Sequence, residues 1–189
     1  MSWLSDCLPP GPVVLDASVI INLLGCGEPA RILSALDYPC IVETRTLREI
    51  RRHPEPGRSH ETALQDLVSQ GLLVVVRMTD EEYENYLRYV QGSLASRLDD
   101  GESAAIAIAG RGTCLILDER KARRRVAMEL PGVSVRSSLQ LMLTGACRAG
   151  WKLEEARDFV RMAIRHARMG VPREDALLLK MLFDDERQR

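Results

Sequence analysis

The stretch Val13-Val14-Leu15-Asp16-Ala17-Ser18 decides the fold class, because a short apolar run stops at an acidic residue. A second stretch, Cys114-Leu115-Ile116-Leu117-Asp118, repeats the pattern far downstream. Apolar runs of this kind predict buried strands, and helical periodicity follows each of them. Strands that alternate with helices predict a parallel sheet covered on both faces. We therefore predict an α/β fold of three layers, α/β/α, around a central parallel sheet.

Three further apolar runs are predicted to complete the sheet, at residues 40–42, 72–76 and 133–135. The run at 72–76 is rich in valine and shows no polar alternation, which predicts a strand buried on both faces. From about residue 137 to Phe183 the periodicity is helical. This pattern predicts an N-terminal leader at 1–12, an α/β domain at 13–145, and a C-terminal helical extension at 146–189 that packs on the same domain.

Composition restricts the class of protein only weakly. Lys and Arg number 26 and Asp and Glu number 27, so the net charge of −1 does not by itself indicate a nucleic-acid partner. Only a local basic patch would attract one. The five cysteines show no metal-binding spacing, which favours reduced thiols. No apolar stretch is long enough to span a membrane, and no signal peptide begins the chain. These features predict a cytoplasmic protein without a membrane partner.

Four acidic residues are candidates for one site. Asp16 and Asp118 each end a strand, and ligands of open parallel sheets bind beyond the carboxyl ends of the strands. Either residue alone is explained equally well as the cap of the following helix. Glu102 begins a helix of small residues that can approach the sheet closely, although the helix dipole alone favours an acid there. Glu49 alone is typical of a surface glutamate and gains interest only beside the others.

Together these acids resemble the PIN-domain nuclease family. The run Leu15-Asp16-Ala17-Ser18 is similar to the first family motif, an Asp on strand one with Ser or Thr two residues later. Glu49 falls where the family places a helix-borne acid after strand two. The stretch Leu98-Asp99-Asp100-Gly101-Glu102-Ser103-Ala104-Ala105-Ile106-Ala107 is similar to the Gly-Glu-Ala-rich helix start of one prokaryotic subgroup. The run Leu115-Ile116-Leu117-Asp118-Glu119 matches the last acidic strand end, and a basic helix follows it, as is typical of the family.

The resemblance implies a nuclease that depends on Mg²⁺ or Mn²⁺, which are hard cations that prefer oxygen ligands. Asp16, Glu102 and Asp118 are the implied metal ligands, and Glu49 is the fourth catalytic acid. Asp99 and Asp100 are rivals of Glu102 for the third ligand position. The full set of secondary candidates is Ser18, Asp99, Asp100 and Glu119. Ser18 is explained equally well as a water or phosphate contact and as part of a helix start.

Basic residues flank two of the candidate ligands. One group surrounds Glu49 and the other follows Asp118. The predicted RNA contacts among them are Arg45, Arg48, Arg52, Lys121 and Arg124. Contacts of this kind position a strand by its phosphates, although a run of charge is more often a solvated helix face.

The leading hypothesis is a metal-dependent endoribonuclease. The resemblance implies the toxin of a type II toxin–antitoxin pair, a homodimer that a small antitoxin protein blocks. A second hypothesis is a catalytically silent PIN-like module that binds nucleic acid or protein. A receiver-like or phosphatase-like enzyme also places aspartates at strand ends, but it requires a lysine at a later strand end, and the sequence offers none there.

Overall fold

A computed structural model describes residues 8–91 and 97–184 of the chain. Five strands form one sheet in which every pair of neighbours is parallel. The strands are β1 (Val13–Leu15), β2 (Cys40–Glu43), β3 (Leu73–Val76), β4 (Cys114–Ile116) and β5 (Ser134–Arg136). Their order across the sheet is β3-β2-β1-β4-β5. Helices flank the sheet, so the predicted three-layer α/β/α fold is confirmed.

Ten helices are described between and after these strands. They are α1 (Ala17–Gly25), α2 (Pro29–Ser34), α3 (Thr44–Glu49), α4 (His60–Ser69), α5 (Asp80–Val90), α6 (Asp100–Ala107), α7 (Arg120–Glu129), α8 (Ser138–Arg148), α9 (Leu153–Ala167) and α10 (Ala176–Phe183). Two short 3₁₀ turns lie at Ala109–Arg111 and Arg173–Asp175. Helix α5 begins with the predicted capping box, in which Thr79 and Glu82 satisfy each other's backbone N–H groups.

The strand order places the carboxyl ends of β1 and β4 side by side. In the register of this pair Val13 lies opposite Cys114 and Leu15 opposite Ile116, so the residues that follow both strands reach the same edge. The chain builds β2 and β3 on one side of β1, then crosses to build β4 and β5 on the other. This change of direction makes the β1–β4 boundary the switch point at which open α/β sheets bind ligands.

The prediction for β3 was wrong in one respect. The strand forms, but Val74 and Val75 are each 40% exposed rather than buried on both faces. The reason is that β3 lies at the edge of the sheet and pairs only with β2. A continuous apolar run fixes the strand conformation, but it does not reveal whether the strand is central or at an edge.

The described parts of the predicted leader and of the predicted C-terminal extension both pack on the α/β domain. Leu8 is only 4% exposed, and the carbonyl of Pro12 accepts a hydrogen bond from the amide of Thr113 (2.7 Å). Helix α9 lies against α1 so closely that a Cβ on Gly25 would come within 2.7 Å of the Cβ of Ala167. Division of the chain at residue 145 stays a prediction. Residues 1–7 of the predicted leader and 185–189 of the predicted extension lie outside the described residues.

Within the described ranges, every helix is too short or too polar to cross a membrane. The cysteines at positions 26, 40, 114 and 147 form no disulfide bond there.

Candidate active site

Asp16 lies directly after β1 and is only 3% exposed. Its Oδ2 accepts hydrogen bonds from the amide of Ser18 (3.2 Å) and from the Ser18 hydroxyl (2.6 Å), so Asp16 caps helix α1. Its Oδ1 is buried and accepts no hydrogen bond from any described residue. Burial raises the pKa of this carboxyl above its usual range, against the lowering effect of the Ser18 bonds. A buried carboxylate oxygen without a donor is costly unless a cation satisfies it.

Asp118 follows β4 and is held by three hydrogen bonds. The amide of Ser138 donates to Oδ1 (2.8 Å), and the Ser138 hydroxyl and the Asn22 side-chain amide donate to Oδ2 (2.5 and 2.9 Å). Asn22 also donates to the Ser138 hydroxyl (3.1 Å). Burial raises the pKa of Asp118, and the two Ser138 bonds act in the opposite direction. Oδ2 already accepts two of these bonds and Oδ1 only one, so Oδ1 keeps a lone pair for another partner.

Asn22 and Ser138 are functional candidates that the sequence analysis missed. Both are buried, and they join helix α1 to the start of α8 through the Asp118 carboxylate. An asparagine in the middle of the apolar segment Ala17–Gly25 is a signal that a closer inspection of the sequence would find. Ser138 gives no such signal, because Ser137 beside it is an equally good helix cap and is the residue that caps α8.

Helix α6 brings a third carboxylate to the site. The Oε2 of Glu102 accepts a hydrogen bond from the amide of Asp99 (3.2 Å). Burial, together with the negative charges of Asp16, Asp99 and Glu119, raises the pKa of Glu102 to about 7. Asp99 and Asp100 are exposed, and the Oδ1 of Asp100 accepts a hydrogen bond from the Tyr86 hydroxyl (3.2 Å). Of the three rivals for the third position, Glu102 is therefore the half-buried one that Asp16 influences.

Glu49, the last residue of α3, reaches the start of α6. Its Oε1 accepts a hydrogen bond from the amide of Gly101 (2.5 Å). The side chain is exposed, yet partial burial raises its pKa, and the charges of Asp16, Asp100 and Asp99 contribute. A glutamate that looked like a lone surface residue in the sequence thus lies near the other acids.

The four acids form one electrostatic cluster with Asp16 at its centre. The charge of Asp16 raises the pKa of Glu49, Glu102 and Asp118 alike. Within residues 8–91 and 97–184, no three acidic, histidine or cysteine side chains are close enough together to form a ready-made metal site.

The secondary candidates have local roles in the fold. The Ser18 hydroxyl donates a hydrogen bond to Asp16 Oδ2, and Asp99 is the N-cap residue of α6. Glu119 is exposed and caps α7 by accepting a hydrogen bond from the amide of Lys121 (3.3 Å).

The predicted RNA contacts differ in how free their side chains are. Arg45 stacks on the ring of Tyr86, with its guanidinium carbon 4.9 Å from the ring centroid. Lys121 donates to the carbonyl of Arg97. In contrast, Arg48, Arg52 and Arg124 are exposed and make no ion pair with any described residue. Two of the five predicted contacts are thus already engaged in the fold, and three have exposed side chains.

We expect Glu102→Gln to stabilise the metal-free protein at pH 8 and to have a much smaller effect at pH 5. The folded-state pKa of about 7 lies above the value of 4.5 for an unperturbed glutamate. The folded protein therefore holds this proton more tightly, and the stability that the neutral form provides is lost as pH rises from 4.5 to about 7. At pH 8 the gain is on the order of 1–3 kcal/mol. Thermal unfolding in EDTA measures it.

The matched control is Glu61→Gln, an exposed glutamate in α4. It should leave the melting temperature unchanged at both pH values. An equal effect of Glu102→Gln at pH 5 and pH 8 would show that Glu102 titrates in its ordinary range.

A protein-family model described as a PIN domain matches residues 12–168, which is most of the chain. Neither a curated protein nor a solved structure matches it.

Proposed function

The chain belongs to the PIN-domain family, a family of nucleases, and on that premise we propose that it is a metal-dependent endoribonuclease. The observation that carries the proposal is Asp16 Oδ1, a buried carboxylate oxygen without a hydrogen-bond donor in the middle of a four-acid cluster. Such a group is costly in a protein interior unless a cation binds it. Hydrolysis of a phosphodiester is the reaction that this arrangement suits, since it requires a cation beside a phosphate.

The residues present fit Mg²⁺ or Mn²⁺, which take oxygen ligands and keep several waters. In this proposal Asp16, Glu102 and Asp118 hold the ion, partly through water, because no three such side chains of the described residues are close enough together to bind one ion directly. When bound, the ion supplies Lewis acidity toward the phosphoryl oxygen and toward the attacking water. In the metal-free site burial, and more weakly the charges of neighbouring carboxylates, raise the pKa values of Asp16 and Asp118, and a bound cation would offset both effects.

The surrounding residues position these carboxylates. Ser18 donates to Asp16 Oδ2, and Oδ1 is left without a hydrogen bond from the described residues. Ser138 and Asn22 fix the Asp118 carboxylate. Glu49 is anchored through Oε1 to the amide of Gly101, and we assign it the task of orienting the attacking water with its remaining oxygen. Asp16 and Glu49 thus each have one oxygen engaged in the fold, and Asp118 has both oxygens engaged but keeps a lone pair on Oδ1.

The substrate assignment rests on the basic flanks and on the family. Arg45, Arg48 and Arg52 on the α3 side and Lys121 and Arg124 on the α7 side offset the negative cluster for a polyanion. We further propose that the protein is the cytoplasmic toxin of a type II toxin–antitoxin pair and acts as a homodimer that an antitoxin blocks. This finer proposal rests on the similarity of residues 98–107 to one prokaryotic subgroup.

The proposal is tested by incubating the purified protein with labelled single-stranded RNA in Mn²⁺, in Mg²⁺ and in EDTA. Internal cleavage with either metal and none in EDTA supports a metal-dependent endoribonuclease. Single-stranded DNA of the same sequence tests the preference for RNA. Tight RNA binding without cleavage under all conditions would instead favour a catalytically silent binding module.

The role of Glu49 is testable through Gly101→Ala, which leaves Glu49 itself unchanged. A Cβ on Gly101 would overlap the Glu49 carboxylate and lie 2.8 Å from its Cδ. The exposed Glu49 side chain is expected to swing away and lose its bond to the Gly101 amide. We expect RNA cleavage to fall on the order of tenfold to a hundredfold, because misplacement of a catalytic group by an ångström is costly. Single-turnover cleavage rates measure this loss.

Alanine is favoured over glycine in a helix by about 1 kcal/mol, so the fold should tolerate Gly101→Ala. The matched control is Gly110→Ala, where an added Cβ meets no described atom within 4 Å. If Gly101→Ala cleaves at the wild-type rate, the placement of Glu49 has no part in the reaction.

A further inference from the structure

A groove of about 790 Å³ begins at the acidic cluster and runs along the C-terminal part of the chain. Asp118 and Ser18 are among the residues that line it. Helix α7 lines it with Arg120 and Arg124, which are four residues apart and therefore share one helix face. The segment between α9 and α10 lines it with Arg168 and Arg173.

These four arginines are exposed, and none of them makes an ion pair with a residue of the described part of the chain. The acids of the groove outside the cluster are already engaged. Glu174 accepts a hydrogen bond from Nε of Arg123 (2.9 Å), and Glu119 caps α7. The groove therefore carries uncompensated positive charge next to a negative centre. A polyanion satisfies this arrangement.

Arg168 has a backbone conformation that its residue type rarely adopts. It ends α9 in the left-handed region, with φ 57° and ψ 39°. Glycine is the usual residue there, and another L-residue costs about 1 kcal/mol. The next residue, Met169, is buried and its amide donates to the carbonyl of Ala163 (3.3 Å), while the Arg168 side chain is exposed and lines the groove. A strained residue whose exposed side chain makes no ion pair within the described part of the chain points to a role in binding.

Between the arginines the groove is apolar, with Ile21, Ala127, Val171 and Pro172 among its lining residues. Unpaired bases and riboses can pack on such a surface, whereas a duplex encloses its bases. The volume is also in the range of sites for small ligands, which suits a few nucleotides of one strand.

We propose that this groove is the track along which a single-stranded polynucleotide leaves the acidic cluster, with phosphates bound by Arg120, Arg124, Arg168 and Arg173. The inference rests on the proposed function and deepens it, because it assigns part of the substrate site to the segment that follows α9. An acidic peptide would also satisfy the arginines. Continuity with Asp118 favours the polynucleotide, since a strand cleaved internally must extend beyond the acids.

The test is binding of fluorescein-labelled oligouridylate to the full chain carrying Asp16→Asn, which prevents cleavage during the measurement. The test variant adds Arg168→Gly and Arg173→Gln. The matched control adds Arg88→Gln and Arg165→Gln, which remove the same charge from exposed positions outside the groove. We expect Kd to rise roughly tenfold in the test variant alone, and the slope of log Kd against log salt to fall by about 1.4.

A stability measurement separates binding from a structural role. Arg168→Gly relieves the left-handed strain, so this variant should unfold at the same or a higher temperature while it binds RNA more weakly. A lower melting temperature with unchanged binding would overturn the assignment and make Arg168 structural.

Equal RNA affinity of the test and control variants would overturn the groove as the track, while metal-dependent cleavage by the wild type would leave the proposed function intact. Poly-glutamate that binds more tightly than oligouridylate, and only when Arg168 and Arg173 are present, would overturn it in favour of a peptide partner. A wild type that neither binds nor cleaves RNA would overturn both proposals.

Discussion

Asp16→Asn is expected to abolish metal-dependent RNA cleavage, with a rate at least about a thousandfold below that of the wild type, because a metal ligand supplies several kcal/mol of transition-state stabilisation. Asp16 is the central carboxylate of the cluster and the one with a buried oxygen that lacks a donor. An asparagine side chain has nearly the same shape, but it lacks the negative charge. The loss therefore reports on the chemistry rather than on the packing.

The same substitution should raise the stability of the metal-free protein. Asparagine can still accept the two hydrogen bonds from Ser18, so the cap of α1 is retained. It also removes a carboxyl group whose pKa is raised by burial, so its ionised form costs the fold stability. Mn²⁺ should raise the melting temperature of the wild type by mass action and leave that of the variant unchanged.

Asp66→Asn is the matched control, because Asp66 is an exposed residue of α4. It should keep the wild-type cleavage rate and the shift of melting temperature with Mn²⁺. Cleavage that survives in Asp16→Asn would mean a contaminating nuclease or an active site elsewhere. Loss of cleavage with an unchanged response to Mn²⁺ would mean that Asp16 acts in catalysis without holding the ion.

Asp118→Asn is expected to abolish cleavage as well, but to destabilise the protein. All three groups around the Asp118 carboxylate donate hydrogen bonds to it: the Ser138 amide, the Ser138 hydroxyl and the Asn22 side chain. A carboxamide turns one acceptor oxygen into a donor, so one of these buried donors loses its partner. Such a loss costs about 1–3 kcal/mol, which in a chain of this size lowers the melting temperature by several degrees.

Ser138→Ala provides the companion measurement for Asp118. It removes the hydroxyl and keeps the amide that donates to Oδ1, so the carboxylate stays charged but is less firmly oriented. It should therefore reduce cleavage far less than Asp118→Asn does. Stabilisation of the metal-free protein by Asp118→Asn would contradict the assignment of Ser138 and Asn22 as hydrogen-bond donors to the Asp118 carboxylate.

The opposite signs expected for the two aspartates arise from their surroundings. Both follow a strand, both are shifted upward in pKa by burial, and their sequence patterns are nearly the same. Sequence analysis therefore assigned them one role and had no means of separating them. The difference lies in the donors around Asp118, one of which, Asn22, is 96 residues distant along the chain.

The sequence by itself determined the features that short local patterns encode, namely the strands, their acidic ends and the helix starts. Apolar runs that end in Asp16 and Asp118 predicted two strands and their acidic ends, and a helical start at residues 99–102 predicted the position of Glu102. The parallel three-layer fold followed from the alternation of strands and helices. These features depend on periodicity and caps within a few residues, so they can be read without knowing how the chain folds back on itself.

The tertiary structure decided which of these elements meet. It placed β3 at the edge of the sheet, it joined Glu49 to Gly101 across 52 residues, and it surrounded Asp118 with Asn22 and Ser138. It also brought the turn at Arg168 beside α7 to form the basic groove. Such contacts are set by the packing of distant elements around one core, and no local pattern specifies them. The sequence thus named most of the acids, and only the packing determined what each of them contacts.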